Sequence, residues 1–200
     1  MTNELLEPLN LKKLQSGDID EITKMVDQYT NQIYRVALKM LNNEVEAEDV
    51  LQETFIKAIN SLSNFEGRSS LSTWLYRIAV NESLMLIRKR KPEVSIIHDD
   101  ENEDGIDGIP ITQIVDWCCL PESELMSNET REIIDSATQN LPENLRMVFI
   151  LRDMEGLSIT ETAQTLELTE TNVKTRLLRA RLKLREELSV YFNERILENK

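Results

Sequence analysis

An all-α fold, built as two small helical domains joined by a flexible acidic linker, is predicted by three observations on this 200-residue chain. Five Gly and five Pro are too few to punctuate the turns of a sandwich or barrel, because an average chain carries about 12% of the two together. Apolar residues recur at spacings of three and four towards both ends of the chain, the period of helices with one buried face. Between them, residues 93–130 hold eleven Asp and Glu, no Lys or Arg, and Gly105, Gly108, Pro110 and Pro121, without sustained periodicity. The expected division is a module at 1–95, a linker at 96–129 and a second module at 130–200.

In the first module Ala47, Leu51, Phe55, Ala58 and Leu62 make one apolar stripe along a helix from about Val45 to Leu62. Its far side carries Asp49, Gln52, Glu53 and Ile56. An aliphatic residue among acids is either an isolated surface residue or part of a helix that docks on a partner, and the pattern leaves both open. The polar loop SNFEGRSSLSTW, with Phe65 and Gly67 embedded, leads into a helix from about Leu71 to Lys89. There Trp74, Ile78 and Met85 are expected on the buried side, and Arg77, Asn81 and Arg88 share the adjoining flank within about 40°. Two cations and an amide in line beside an aromatic loop suit an unpaired nucleic-acid strand: Arg for phosphate, Asn for a base edge, Phe for stacking. The plainer alternative is that Phe65 and Trp74 are core aromatics.

In the second module Pro142 and Glu143 open a helix that Gly156 can close, since Pro fits a first turn and Gly a left-handed cap. Ser158 and Glu161 have the spacing of a capping box for a helix containing Ala163 and Leu166. After a short break Thr169 caps a longer helix in which Val173, Leu177, Ala180 and Leu184 form the buried face. Two helices across a tight turn, the second bearing six cations, make a helix-turn-helix. Thr175, Leu178, Arg179 and Leu182 fall opposite the buried stripe, where base edges are met. Lys174, Arg181 and Arg185 lie on one flank, and Arg176 and Lys183 on the other, where phosphates are met. An ordinary solvated helix with a basic face is the competing reading.

The net charge of −13 argues against nucleic acid until its distribution is considered. The acids concentrate in residues 93–130, and cations cluster at Arg88, Lys89, Arg90 and Lys91 and again along the last helix. The longest apolar run, Met147 to Leu151, falls far short of the ~20 residues that span a bilayer, and the opening MTNELLEPLNLKK has no signal-peptide pattern. A cytoplasmic protein without membrane insertion is expected. Cys118 and Cys119 are adjacent and the lone histidine is His98, so no disulfide or zinc framework is implied. Asp100, Asn102, Asp104 and Gly105 match the start of a calcium loop whose twelfth position is Ile111 instead of Glu, and are read as solvated acids. No cofactor is expected. An enzyme is disfavoured too: there is no phosphate-binding glycine loop, and no Ser or Cys nucleophile with a base.

Three stretches, DVLQETFIKA, FEGRSSLSTWLYRIAVN and NVKTRLLRARLKLRE, resemble in order and spacing the extracytoplasmic-function group of bacterial sigma factors, in the RNA polymerase sigma-70 family. The resemblance implies that residues 1–95 act as sigma region 2, with Asp49, Gln52, Glu53 and Ile56 on the clamp helices of the largest subunit of core RNA polymerase. Phe65, Glu66, Gly67 and Ser69, with Asn81, would capture a flipped base of the minus-ten element, while Arg77, Arg88 and Arg90 hold backbone phosphates. Region 4, residues 130–200, would contact the polymerase flap and read the minus-thirty-five element through Lys174, Thr175, Leu178 and Arg179, with Arg176 and Arg181 on phosphates. The resemblance also implies promoter DNA as partner, an anti-sigma factor as regulator, and no catalytic site of its own. Family members often have Gly in the helix-turn-helix turn where this chain has Glu167. A conventional helix-turn-helix regulator and a polymerase-bound sigma mimic are the rival readings.

Overall fold

The computed structural model describes residues 9–90 and 128–198, with side chains over 9–90 and 132–189. Linker residues 96–127, with His98, the Asp100–Gly105 stretch and the Cys118/Cys119 pair, lie outside the described residues. Every regular element within them is helical.

The first four helices are α1 (Leu11–Gln15), α2 (Ile19–Leu41), α3 (Glu44–Ser61) and α4 (Leu71–Arg90). Their ends follow local chemistry. Asn10 accepts from the amides of Lys12 and Lys13 to start α1, Asp18 accepts from Glu21 N to start α2, and Asn43 accepts from Glu46 N to start α3. Asn42 closes α2 in the left-handed conformation at φ 50°. The long helices pack around Met25, Ile33, Val36, Ala37, Met40, Val50, Phe55, Leu75, Ala79 and Val80, all buried.

The α4 face differs from the expectation. Trp74 and Ile78 are only half-buried and Met85 is 47% exposed, whereas Thr73, Leu75, Tyr76, Ala79, Val80, Ser83 and Ile87 turn inward. The small side chains at 73, 79 and 83 allow α4 to lie close to its neighbours, and Ser83 Oγ stays satisfied by donating to the Ala79 carbonyl at 2.8 Å. Trp74 and Ile78 pack against the same core from its edge, so the buried face is rotated from the expected one.

The remaining helices are α5 (Asn128–Asn140), α6 (Glu143–Phe149), α7 (Ile159–Leu166) and α8 (Glu170–Glu198). Pro142 precedes α6 as expected, and Gly156 follows its end in the left-handed conformation at φ 77°. The final turn, Ile150–Met154, widens to a π-helix, with Glu155 N donating to the Ile150 carbonyl at 2.9 Å.

This helical run meets three cores. Leu145 packs with Ala137, Leu141, Ala180, Leu184 and Leu188, and Val148 with Ala163, Val173 and Leu177. Ile150 and Leu151, with Leu157, join the core of α2 to α4. The two sets of helices are therefore packed on one another. Arg146 is a polar node at that junction: its Nη1 donates to the Met40 carbonyl (3.1 Å) and Gln139 Oε1 (2.9 Å), and its Nη2 to the carbonyls of Gln139 (2.6 Å) and Leu141 (3.0 Å). Burial pulls its pKa below the ordinary arginine value, yet four acceptors in a planar fork hold it in place.

Replacing Arg146 by Ala strands those acceptors and is expected to lower stability by about 2 kcal/mol. Arg146→Lys, with a single nitrogen, should recover only part of that loss, as read from the urea midpoints of the three proteins.

Candidate nucleic-acid interface

The loop between α3 and α4 is braced from both ends. A 3-10 turn over Leu62–Asn64 closes α3, and Phe65 N donates to the Leu62 carbonyl at 3.1 Å. Ser70 starts α4: its Oγ accepts from Thr73 N at 3.1 Å and lies 2.7 Å from Thr73 Oγ1. Phe65 is 7% exposed and packs against Trp74 with ring centroids 4.8 Å apart at 37°. Gln15 Nε2 of α1 donates to the Phe65 carbonyl at 2.8 Å. Gly67 turns the loop at φ 71°, and Glu66 pairs with Arg68. Beside the loop lies a cleft of about 320 Å3, lined by Leu9, Leu14, Tyr29, Phe65, Gly67 and Ser69. Phe65 is thus a buried aromatic that also lines a cleft.

Asn81 and Arg88 are exposed along one flank of α4. Arg77, earlier on that flank, instead reaches α7, where it donates to the Gln164 carbonyl and lies 3.7 Å from Glu167 Oε1. Arg90 Nε donates to Glu46 Oε1 at 3.0 Å and its Nη1 to the Leu41 carbonyl at 3.1 Å, fastening the end of α4 to α2 and α3. Asp49, Gln52, Glu53 and Ile56 are all exposed on α3, Ile56 at 53%, and Val45 and Ile59 extend the apolar element of that surface. No pattern in the sequence marked Gln15 or Glu46 as supports of the site, since their partners lie some fifty residues away.

The second candidate surface is the helix-turn-helix. Ser158 Oγ accepts from Glu161 N at 3.1 Å, and Glu161 Oε2 accepts from Ser158 N at 2.9 Å and from Ser158 Oγ at 2.7 Å, so the capping box is complete. Both bonds from Ser158 hold the Glu161 carboxyl below its ordinary pKa of 4.5. Glu167 ends α7 at φ 56°, so the turn is as tight as a glycine would make it. Thr169 caps α8 by accepting from Asn172 N at 3.2 Å, and Thr160 bonds Glu170 across the turn at 2.7 Å. Val173, Leu177, Ala180 and Leu184 are buried as expected. Lys174 and Lys183 are exposed, and Thr175, Arg176, Leu178, Arg179 and Leu182 are half-buried on the outer part of α8. Arg181 makes a two-pronged pair with Asp153, Nε to Oδ2 and Nη2 to Oδ1, each at 2.8 Å, which ties α8 to the π turn. Among the described residues no cluster of His, Cys, Asp and Glu could hold a metal, and no helix is long and apolar enough to cross a membrane.

Comparison with known proteins agrees with both halves. Residues 25–93 match the family model for sigma-70 region 2, and residues 131–184 that for sigma-70 region 4. The chain is 36% identical to the ECF RNA polymerase sigma factor SigW of Bacillus subtilis over 92% of its own length and 98% of that protein. It is 33% identical to the ECF RNA polymerase sigma-E factor of Haemophilus influenzae, over 90% and 94% of the two chains. The fold is shared with CnrH, solved in complex with the cytosolic domain of CnrY, at a TM-score of 0.65 and 23% identity over 90% of this chain and 95% of that one. RpoE, solved in complex with the anti-sigma factor NepR from Bartonella quintana, gives a TM-score of 0.62 and 25% identity over 86% and 99%. The chain belongs to the extracytoplasmic-function RNA polymerase sigma factors of the sigma-70 family, proteins of transcription initiation that are specificity subunits and not enzymes in their own right.

The capping box carries a pH dependence. Because the folded-state pKa of Glu161 is depressed, its stabilisation is present above the ordinary value of 4.5 and is lost as pH falls through the folded value. Hydrogen exchange of the α7 amides should speed up over that acid range in the native protein. In Glu161→Gln it should start faster and show no such step.

Proposed function

We propose that the chain, working in the cytoplasm, binds core RNA polymerase and directs it to promoters by reading two DNA elements with two different devices. The division of labour is region 2 at 1–95, an acidic linker at 96–129 and region 4 at 130–200. The exposed face Asp49, Gln52, Glu53 and Ile56 docks α3 on the clamp helices of the largest subunit, an aliphatic anchor ringed by polar groups. Region 4 rests on the flap.

One observation carries the reading: a rigid aromatic loop beside an exposed amide, and a helix-turn-helix with a basic outer face, occur in the same chain. The first suits an unstacked single strand and the second a duplex groove. In the minus-ten element, Phe65, Glu66, Gly67 and Ser69 with Asn81 accept one base flipped from the nontemplate strand, while Arg77, Arg88 and Arg90 serve nearby phosphates. Trapping that base offsets an unstacking cost of a few kcal/mol, so opening needs no ATP. In the minus-thirty-five element, Lys174, Thr175, Leu178 and Arg179 meet base edges and Arg176 and Arg181 meet phosphates. The apolar Leu178 and Leu182 favour thymine methyl groups there. Arg90 and Arg181 already hold intramolecular carboxylates, so their share of DNA binding requires an exchange of partners. Two solved structures of the same fold are complexes, that of RpoE with an anti-sigma factor, and an anti-sigma factor is the regulator we propose for this chain as well.

Transcription in vitro with purified core polymerase and genomic fragments tests the reading. New 5′ ends that share upstream motifs are expected. Asn81→Ala, an exposed position, should cut open-complex formation about tenfold while core binding persists, the loss of roughly 1.4 kcal/mol from one base contact. Ile56→Asp should weaken core binding itself. Core binding with no transcription from any fragment would instead mark a sigma mimic, and tight binding of a palindromic duplex without core would mark a conventional regulator.

A further inference from the structure

Helix α1 lies ahead of residues 25–93, the segment that matches the sigma-70 region 2 model, yet it is built into the loop between α3 and α4. Its start is fastened to the bundle. Glu21 of α2, a buried carboxylate, accepts from Asn10 N at 2.6 Å, and Asn10 in turn caps α1. Its middle is fastened too, since Leu14 is part of the core of α2 to α4. Its end meets the loop: Gln15 Nε2 donates to the Phe65 carbonyl at 2.8 Å, fifty residues away in sequence. Leu11 backs the same loop, and a Cβ added at Gly67 would stand 3.7 Å from Leu11 Cδ2.

Between Phe65 and Ser70 the loop has little of its own to hold it. Phe65 N is tied to the Leu62 carbonyl and Thr73 N to Ser70 Oγ, so both ends are set. Among the described residues, the amides of Glu66, Gly67, Arg68 and Ser69 donate no hydrogen bond within the chain. Gly67, at φ 71°, is a point about which the chain on either side can pivot, because a glycine crosses between backbone regions freely. The bond from Gln15 removes that freedom. A trans peptide is planar, with its C=O and N–H pointing opposite ways. Holding the Phe65 carbonyl on α1 therefore turns the Glu66 N–H away from α1 and fixes the plane from which Glu66 and Gly67 set off.

This restraint bears on what the loop grips. A loop that orders itself only on binding subtracts its ordering entropy from the affinity, and one already held in the bound shape does not. Among the described residues, Gln15 is the one side chain outside the loop that hydrogen-bonds to residues 65–69. It is half-buried and stands at the edge of the bundle, so its replacement opens no hole in the core of α2 to α4. Its effect is local to the loop.

We propose, resting on the strand-capture reading of that loop, that Gln15 is a positioning residue for promoter opening: by holding the Phe65 carbonyl it keeps residues 65–69 in the shape that takes the flipped base. Gln15 acts through Phe65 and Glu66 and touches neither DNA nor polymerase. Helix α1 is then a strut, fixed to α2 through Glu21 and Leu14 and bearing on the loop through Gln15 and Leu11. A short helix outside the family-matched segment thus joins the machinery that captures the strand.

The test uses the full chain bound to core polymerase and single-stranded oligonucleotides with the nontemplate sequence of a mapped minus-ten element, one abasic site being moved along the strand. With the native chain one position should stand out, removal of its base weakening binding about tenfold. Gln15→Leu, of similar size but without a donor, should bind the intact strand about fivefold less tightly and lose only about twofold more when that base is removed. Gln15→Lys, which keeps an N–H donor at comparable reach, should recover most of the tenfold sensitivity. Core affinity and the urea midpoint should match the native values in both variants. A purely structural role for Gln15 would lower those two quantities and leave the sensitivity to the missing base intact, and that result overturns the proposal. So does a full tenfold sensitivity in Gln15→Leu, or no recovery in Gln15→Lys. If no single base matters to the native protein, it is the strand-capture reading that fails, and the role of Gln15 falls with it.

Discussion

Three apolar cores converge on the twelve residues from Glu143 to Met154, and the rest of the architecture depends on that convergence. A helix can serve cores on several sides only if it is apolar nearly all round, which is why the longest apolar run of the chain, Met147 to Leu151, lies here. Leu145 and Val148 organise the second set of helices, while Ile150 and Leu151 enter the first. Fully burying one such side chain is worth about 1.5–3 kcal/mol, more than an exposed ion pair contributes. The polar contacts, Arg35 with Glu155 and Arg77 with Gln164, therefore set the register of the halves, and the apolar knuckle supplies most of their cohesion. The π turn places that knuckle immediately before Glu155, so the apolar contact and the buried carboxylate arrive at the interface together.

Much of the second helical set was legible because its signals are local. Ser158 with Glu161, Thr169 before α8, and Gly156 after α6 each act on amides or torsions within a few residues, and each is found as the spacing implied. The stripe from Val173 to Leu184 was legible for the same reason. The buried face of α4 was not legible in the same way, because the helical period alone does not say which side the neighbouring helices cover. Thr73, Ala79 and Ser83 are buried by the close approach of neighbouring helices, which is a tertiary fact. The contacts from Arg35, Arg77 and Arg146 join residues up to 120 apart in sequence, and nothing in a single helical period records such a partner. Glu167 was visible as a departure from glycine; that it would adopt glycine's torsion and carry a charge to Arg77 was not.

Charge follows the same division between sum and place. The excess of acids gives no general attraction to a polyanion, and the cations of α4 and α8 are partly occupied by the chain's own carboxylates: Arg77 by Glu167, Arg90 by Glu46, Arg181 by Asp153. Such pairing lowers the field that the free protein presents to DNA. On the function proposed above, these side chains change partners before they serve DNA.

The fastening of Arg90 has a mechanical side. Helix α4 ends there, with the guanidinium anchored to Glu46 at the start of α3 and to the Leu41 carbonyl at the end of α2. Any pull transmitted along the following chain arrives at this rivet. It is shared across three helices as shear and is not concentrated on the last turn of one, where it would peel hydrogen bonds apart one at a time. A pull beyond Arg90 is thus kept from unravelling the helix that carries Arg77 and Asn81.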